Sequence, residues 1–323
     1  SFDSRNAGSR DLLVNGGYQV NDGNNGLNYD VVTHTASGNI AKATLDLQAA
    51  SDSRTYNGTN TSNGKVTATG LFGTDKVTGL SQSFDSRNAG SRDLLVNNGY
   101  VVDDSNGGLN YAVVTHTASG NIAKATLDLQ AASDSRTYNG TDVSNGTVGV
   151  SGLFGTDKVT GLSQSFDSRN AGARDLLVNG DYKVNDGNNG GNYDVVTHTA
   201  SGNISKATLD LQAASDNRTY NATTASNGTV GVTGLFGTDQ VSSLSQSFDS
   251  RNAGARDLLV NGGYVVDDGN GGLNYDVVTH TASGNIAKAK LDAVTGVGAL
   301  DRAYNSLLGV DLDYSQARIV GTL

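Results

Sequence analysis

Apolar and polar residues alternate along this chain in short bursts, with no sustained helical stripe. Thr44-Leu45-Asp46-Leu47-Gln48-Ala49 puts every second side chain on an apolar face, Lys65 to Leu71 does so less cleanly, and Tyr29 to Thr35 is rich in β-branched and aromatic residues. Alternation of period two in such residues predicts strands. Between the runs lie Asn57–Gly64, Gly73-Thr74-Asp75 and Asn21–Gly26, built from residues that tolerate turns and left-handed backbone. Arg10 to Val14 is compatible with one helical turn, which Asn15-Gly16 ends. Short strands with turns about every ten residues predict an all-β fold of small Ig-like β-sandwich modules, with β-grasp-like modules as the alternative.

The pattern repeats. Ser-Phe-Asp-Ser-Arg-Asn-Ala-Gly opens at Ser1, Ser83, Ser165 and Ser247, a period of 82 residues. A fixed period of this kind marks an array in which each unit is one structural module. The implied organisation is the second half of a module over 1–43, complete modules over 44–125, 126–207 and 208–289, and a diverged first half or assembly tail over 290–323. Phe2, Leu12, Leu13, Val14, Tyr18, Tyr29, Val31, Ile40, Leu45, Leu47, Tyr56, Leu71 and Phe72 recur unchanged in every complete copy and form the expected core, whereas Gln19 becomes Val101, Lys183 and Val265. A module of this size buries only about 60% of its unfolded surface, so packing against neighbours should add stability. The junction Asn39 to Leu45 has no Gly-Ser linker, which predicts a stiff rod of modules about 30 Å each. In the tail, Leu300, Ala303, Tyr304 and Leu307 have the spacing of a short amphipathic helix capped by Gly309.

Composition removes several function classes. Pro, Cys, Met and Trp are absent, and all 32 acidic residues are Asp; against 22 Lys and Arg they give a net charge of −10. That balance repels nucleic acid and anionic lipid. No apolar run reaches the roughly 18 residues of a membrane helix, and no signal peptide is read at Ser1, so any export signal is expected upstream or already removed. Without Cys there is neither a disulfide nor thiol chemistry.

The succession Arg54-Thr55-Tyr56-Asn57-Gly58-Thr59, Gly70-Leu71-Phe72-Gly73-Thr74-Asp75, Phe84 through Asn88-Ala89-Gly90, Asn110-Tyr111 and Gly120-Asn121-Ile122 resembles the YDG-type repeat of filamentous-haemagglutinin-like bacterial adhesins over most of the chain. Two departures stand out: Asn57 where the family usually has Asp, and Ala41-Lys42-Ala43 where it normally carries Pro. The resemblance implies export from a Gram-negative bacterium through a dedicated outer-membrane partner (two-partner secretion), and a role in adhesion, aggregation or biofilm matrix at the cell surface.

Candidate chemistry has to survive the repeat. His34, His116, His198 and His280 occur once per module, too far apart to share a metal within one chain. Asp30 shares a predicted strand face with His34, but its counterpart is Ala112, so a catalytic dyad is not expected. The loops at Asp22, Asp104, Asp186 and Asp268 are weak calcium candidates: the oxygen ligands are hard and closely spaced on a Gly-rich turn, yet the spacing is not that of an EF-hand and no Glu exists. Sequons at Asn57, Asn139, Asn145, Asn221 and Asn227 are possible sugar acceptors. We therefore expect a non-enzymatic extracellular adhesin or biofilm-matrix segment with no required cofactor. Its expected partners are copies of itself, the rest of a longer adhesin chain, or surface glycans and polysaccharide, with no nucleic acid and no membrane insertion. The alternative is a carbohydrate-binding array acting by avidity, with Tyr18 or Tyr29 as the exposed aromatic. For assembly, the exposed half-module residues Phe2, Tyr29 and Val31 should meet tail strands near Leu291 and Ile319-Val320 in a head-to-tail strand addition.

Overall fold

Residues 1–291 and 293–320 are described by the computed structural model, and over them the chain is all-β, with no helix. The first strands are β1 (Gly8–Leu12), β2 (Ala36–Ile40), β3 (Ala43–Gln48), β4 (Ser53–Thr55), β5 (Thr67–Thr69), β6 (Lys76–Thr78), β7 (Gln82–Phe84), β8 (Gly90–Val96), β9 (Val101–Asp103), β10 (Tyr111–His116) and β11 (Ala118–Ala123). They make a three-stranded sheet of order β10-β3-β5, a four-stranded sheet of order β4-β11-β8-β7, and the antiparallel pair β6–β9. Both larger sheets are mixed: β3 lies parallel to β10 and β4 parallel to β11, while β5, β7 and β8 join antiparallel.

The contacts divide the chain into two compact units. The first, Ser1–Gln130 with Val148–Leu162 and Asn179–His198, holds β1 to β11 and a second three-stranded sheet formed by Ala125–Gln130, Gly149–Ser151 and Tyr193–His198. The second unit, Ala131–Thr147 with Ser163–Val178 and Thr199–Leu323, holds two four-stranded sheets of the β4-β11-β8-β7 kind and one three-stranded sheet at Ala207–Gln212, Gly231–Thr233 and Tyr275–His280. In this unit one core runs unbroken from Tyr138, Phe166, Leu176 and Ile204 into Ala207, Leu209 and Leu211.

Alternation places the core. Leu45 and Leu47 on β3 are fully buried and Leu94 on β8 likewise, whereas Leu95, one residue on and therefore on the opposite face, is 41% exposed. Phe84 and Ile122 complete the apolar face of the four-stranded sheet. Gly120 is required by close approach: a Cβ there would stand 2.5 Å from the Asp52 carbonyl and 2.9 Å from the Phe84 ring. Gln82 is a buried polar residue that acts as a piece of strand, its Oε1 accepting from the Ala50 amide and its Nε2 donating to the Ala50 carbonyl, both at 2.7 Å, so nothing polar is orphaned.

Several expectations are corrected. The stretch expected as a helical turn is strand in β1 and in all its copies, because its alternate residues have a sheet face to fill. Leu13, Val14 and Phe72 are exposed at 43%, 56% and 67%, so recurrence marked more than core. Tyr29 to Thr35 is not a strand, although its copies at Tyr111–His116, Tyr193–His198 and Tyr275–His280 are; each of those has a parallel partner, such as β3, to satisfy its amides. The tail helix is absent. Instead Arg302 donates to Asn305 Oδ1 and to the Leu307 carbonyl, and the Leu307 amide donates to the same Oδ1 at 3.1 Å, a turn incompatible with helix. In the tail Ile319 pairs with Val294 in an antiparallel ladder of this same chain, not with the Tyr29 segment. Asp292, the counterpart of Asp210, lies outside the described residues.

Candidate site: the lock between successive repeats

The octapeptide that marks the period is one side of a lock. In the first unit Asp157 is the centre: its side chain is 1% exposed, its Oδ2 accepts from the hydroxyls of Tyr56 at 2.7 Å and Tyr193 at 2.8 Å, and Arg87 contacts its Oδ1 at 3.2 Å. The Tyr56 ring packs edge-on against Tyr193 and Phe154, with centroids 5.4 and 6.2 Å away, and the Arg87 guanidinium lies 5.9 Å from it. Tyr56 follows β4, so a short edge strand of one repeat drives an aromatic into the next. The second unit repeats the arrangement, with Tyr138 and Tyr275 on Asp239 Oδ2 at 2.7 and 2.8 Å and Arg169 on its Oδ1 at 3.3 Å. Burial first, and then the bond to the carboxylate, raises the hydroxyls of Tyr56 and Tyr138 far above their ordinary value; Tyr193 and Tyr275 are pushed up to about 12, again chiefly by burial.

The Asp-Gly-Asn loops supply the other side. Asp186 Oδ1 accepts from the amides of Asn188 and Gly190 at 2.7 and 2.9 Å and its Oδ2 from Asn192 at 3.0 Å. The loop thus held presents Asn192, fully buried, whose Oδ1 accepts from the Ala89 amide at 2.8 Å while its Nδ2 donates to Asn88 Oδ1 at 3.3 Å. Asn274 makes the same bonds to Ala171 and Asn170, and Asn110 to Ala7 and Asn6. Arg87 adds a bond to the Asp186 carbonyl at 2.5 Å. Every polar residue of Ser-Arg-Asn-Ala-Gly therefore has its role: Ser86 caps the Asn88 amide, Arg87 reaches the buried carboxylate, and Asn88-Ala89 grips the loop.

The calcium candidates sit at the centre of these loops. Burial pushes the Asp104, Asp186 and Asp268 carboxyls up, but three backbone amides on each outweigh it and leave them below the ordinary value of 3.8; at Asp22 the amides of Gly26 and Asn24 lead. Both carboxylate oxygens face N–H dipoles, an arrangement that repels a cation, and among the described residues no three acidic or His side chains converge as metal ligands. The loop needs positive φ at three places, met in one copy by Gly187, Asn189 and Gly190 and in another by Ser105, Gly107 and Gly108.

Three of the four histidines are paired, with an acid the sequence did not suggest; His34 lies in the segment that is not a strand. His116 Nε2 lies 2.8 Å from Asp46 Oδ1, and His198 and His280 lie 2.8 and 2.7 Å from Asp128 and Asp210. In the parallel register His116 opposes Gln48, so it reaches diagonally to Asp46 across the ladder. The pairs are nearly half exposed and lie outside the lock. The assembly candidates Phe2, Tyr29 and Val31 are exposed at 39%, 64% and 47%, and Leu291, Ile319 and Val320 at 54%, 52% and 48%. The copies of Tyr29, at Tyr111, Tyr193 and Tyr275, are buried in the locks. What sequence reasoning missed was the acid of the lock: Asp75, Asp157 and Asp239 follow the recurring Phe-Gly-Thr turn, and that recurrence was the available signal.

Residues 123–201 match the YDG domain family. Curated proteins offer no match. Among solved structures, the crystal structure of Drosophila N-cadherin EC1-4 is similar at 10% identity over 87% of this chain and 83% of that one, with a TM-score of 0.23, a likeness too slight to carry an argument.

Proposed function

We propose that this chain is a non-enzymatic segment of an extracellular adhesin or biofilm-matrix fibre, in which YDG-type repeats serve as a stiff stalk. The observation that carries the reading is the buried Tyr-Asp-Arg lock, present in each unit with equivalent partners, the Tyr–Asp bond at 2.7 Å in both and the Arg–Asp contact at 3.2 and 3.3 Å. Such a lock spends the recurring polar residues on joining one repeat to the next. A hinge would leave them in water. The His–Asp pairs are nearly half exposed, and among the described residues no third acidic or His side chain converges on them.

A glycan-binding array acting by avidity is less well supported, because it calls for a repeated exposed aromatic, and the copies of Tyr29 are buried while those of Tyr18, at Tyr100, Tyr182 and Tyr264, are partly buried. Surface glycans, and export by a Gram-negative outer-membrane partner, remain part of the proposal through the YDG match alone. The test is immunogold labelling of the native cells with antibody to residues 123–201, paired with an aggregation assay after in-frame deletion of the repeats. Label on the surface or in the matrix with loss of aggregation is expected. Cytosolic label, or aggregation unchanged by the deletion, overturns the reading.

A further inference from the structure

The turn after β4 and its copies hold an asparagine in an arrangement that the lock does not use. Asn57 is followed by Gly58 and Thr59, and its Oδ1 accepts from the Thr59 amide at 3.1 Å, from the Thr59 hydroxyl at 2.9 Å and from the Arg54 guanidinium. Asn139 Oδ1 accepts from the Thr141 amide and hydroxyl at 3.1 and 2.9 Å, and Arg136 bonds the same hydroxyl. Donors converging on one carbonyl oxygen make its carbon more electrophilic and stabilise negative charge arriving on the oxygen. The rest of the group is open. Asn57 and Asn139 are exposed, and among the described residues neither their Nδ2 groups nor the amides of Gly58 and Gly140 donate to anything.

The cation of this turn lacks an anion. Arg54 lies over the Phe84 ring, 5.2 Å from its centroid, its buried Nε has no hydrogen-bond partner, and burial lowers its pKa by more than the field of Asp52 restores. Arg136 repeats this over Phe166 at 5.0 Å. The side chain that Arg54 grips is a neutral amide, where a carboxylate would give a charge-assisted bond.

We propose that Asn57 and Asn139 are self-modifying sites, at which the main chain and one water convert the asparagine to aspartate with release of ammonia. The Gly58 nitrogen gives up its proton to solvent and attacks Asn57 Cγ; the Cγ–N bond forms, the Cγ–Nδ2 bond breaks, and ammonia leaves with a proton taken back from solvent. Water then opens the five-membered imide. Opening at Cγ yields aspartate, whose carboxylate stays on the donors that held Oδ1, and opening at the main-chain carbon yields isoaspartate. The same dipeptide six residues on is protected. The amides of Gly64 and Gly146 donate at 3.1 Å to the hydroxyls of Ser62 and Ser144, and a Cβ at either glycine would collide with the amide of Gln82 or Gln164, so neither nitrogen is free to move onto Asn63 or Asn145. In the third copy Asn221 sits in the same cradle, bonded by the Thr223 amide and hydroxyl at 3.2 and 2.9 Å and by Arg218. It is followed by Ala222, at φ +68°, where Gly58 and Gly140 take +80° and +78°, and the alanine methyl crowds the attacking nitrogen.

The full chain, kept folded at neutral pH in heavy-oxygen water and sampled over weeks, is digested and mapped by mass spectrometry, so that only conversions during the incubation carry the label. Asn57 and Asn139 should convert about tenfold faster than Asn63 and Asn145, the factor corresponding to one amide hydrogen bond, and faster than Asn221. In urea the gap between the Asn-Gly pairs should close, because the unfolded chain keeps the dipeptides and loses the cradle. Thr59→Val, an exposed change that keeps the shape of the side chain, should slow Asn57 several-fold and leave Asn139 of the same molecule as it was. Equal rates at Asn57 and Asn63 in the folded chain, or an Asn57 that converts as before in Thr59→Val, overturns the proposal. Asn57→Asp reads the fit of the acid: a higher urea midpoint is expected, and a lower one overturns the turn as a carboxylate site. None of these outcomes bears on surface labelling, so the stalk reading stands or falls separately.

Discussion

Ser105 occupies a position where the other loops have Gly23, Gly187 and Gly269, and its φ is +60°. An L-residue in that region costs about 1–2 kcal/mol, part of which glycine gives back through its greater freedom in the unfolded chain. Ser105→Gly should therefore stabilise the chain by about 0.5–1 kcal/mol, read as a higher urea midpoint at constant slope; a lower midpoint would show that the serine is favoured for another reason. Gly120 makes the opposite case. Its φ is ordinary but its missing Cβ makes room for the Phe84 ring and the Asp52 carbonyl, so Gly120→Ala should cost about 1–3 kcal/mol as overpacking. The glycines and asparagines of the turns were legible in the sequence as places of unusual backbone. Gly120 was not, because its need is set by a ring contributed from a strand thirty-odd residues away.

At the scale of the strand, β-character was read correctly where alternation was clean, as in β3, and the identity of the core was read correctly for Phe84, Tyr111 and Leu127. It failed for Leu13 and Phe72 because recurrence among copies selects everything the repeat uses, and Phe72 is used at the lock. It failed for the tail because a 3.6-residue spacing competes with a local arginine–asparagine clamp, and its three side-chain and backbone bonds win over an unanchored helix of two turns. The lock itself invites dissection. Tyr138→Phe removes one donor from Asp239 and should cost about 1–2 kcal/mol. Asp239→Ala strands two hydroxyls and a guanidinium, and should cost about 3–5 kcal/mol. A double-mutant cycle between the two should give strong coupling; additive losses would mean that the tyrosine contributes by packing alone.

For the whole molecule, the titrating groups set a window of stability. The loop carboxyls have folded pKa values below their unfolded value of 3.8, so what they contribute is complete above about pH 5 and is lost as pH falls through the lowered values. The lock tyrosines are raised from 10, so their contribution is complete below about pH 9 and is lost as pH rises through about 12. Melting temperature against pH should therefore show a plateau with an acid and an alkaline fall, and Asp186→Asn should flatten part of the acid limb. Absorbance titration should show the lock tyrosines ionising above the ordinary tyrosine range. Millimolar calcium should leave the melt unchanged, since amide dipoles already occupy the carboxylates; a rise of many degrees would show that the loops rearrange to bind it. The all-β class was visible in the sequence because it is written in local alternation. The lock was not, because Tyr56 and Asp157 lie 101 residues apart, more than a whole period.

That spacing has a genetic consequence. The locks join residues 101 and 103 apart, while the sequence recurs every 82. If a gene loses or gains 82 codons anywhere within the array, each tyrosine, alanine and asparagine near the splice meets a partner of the kind it left. Unequal crossing-over between such similar stretches therefore changes length in whole steps without creating a mismatched joint, and the reach of the molecule can be adjusted by recombination alone.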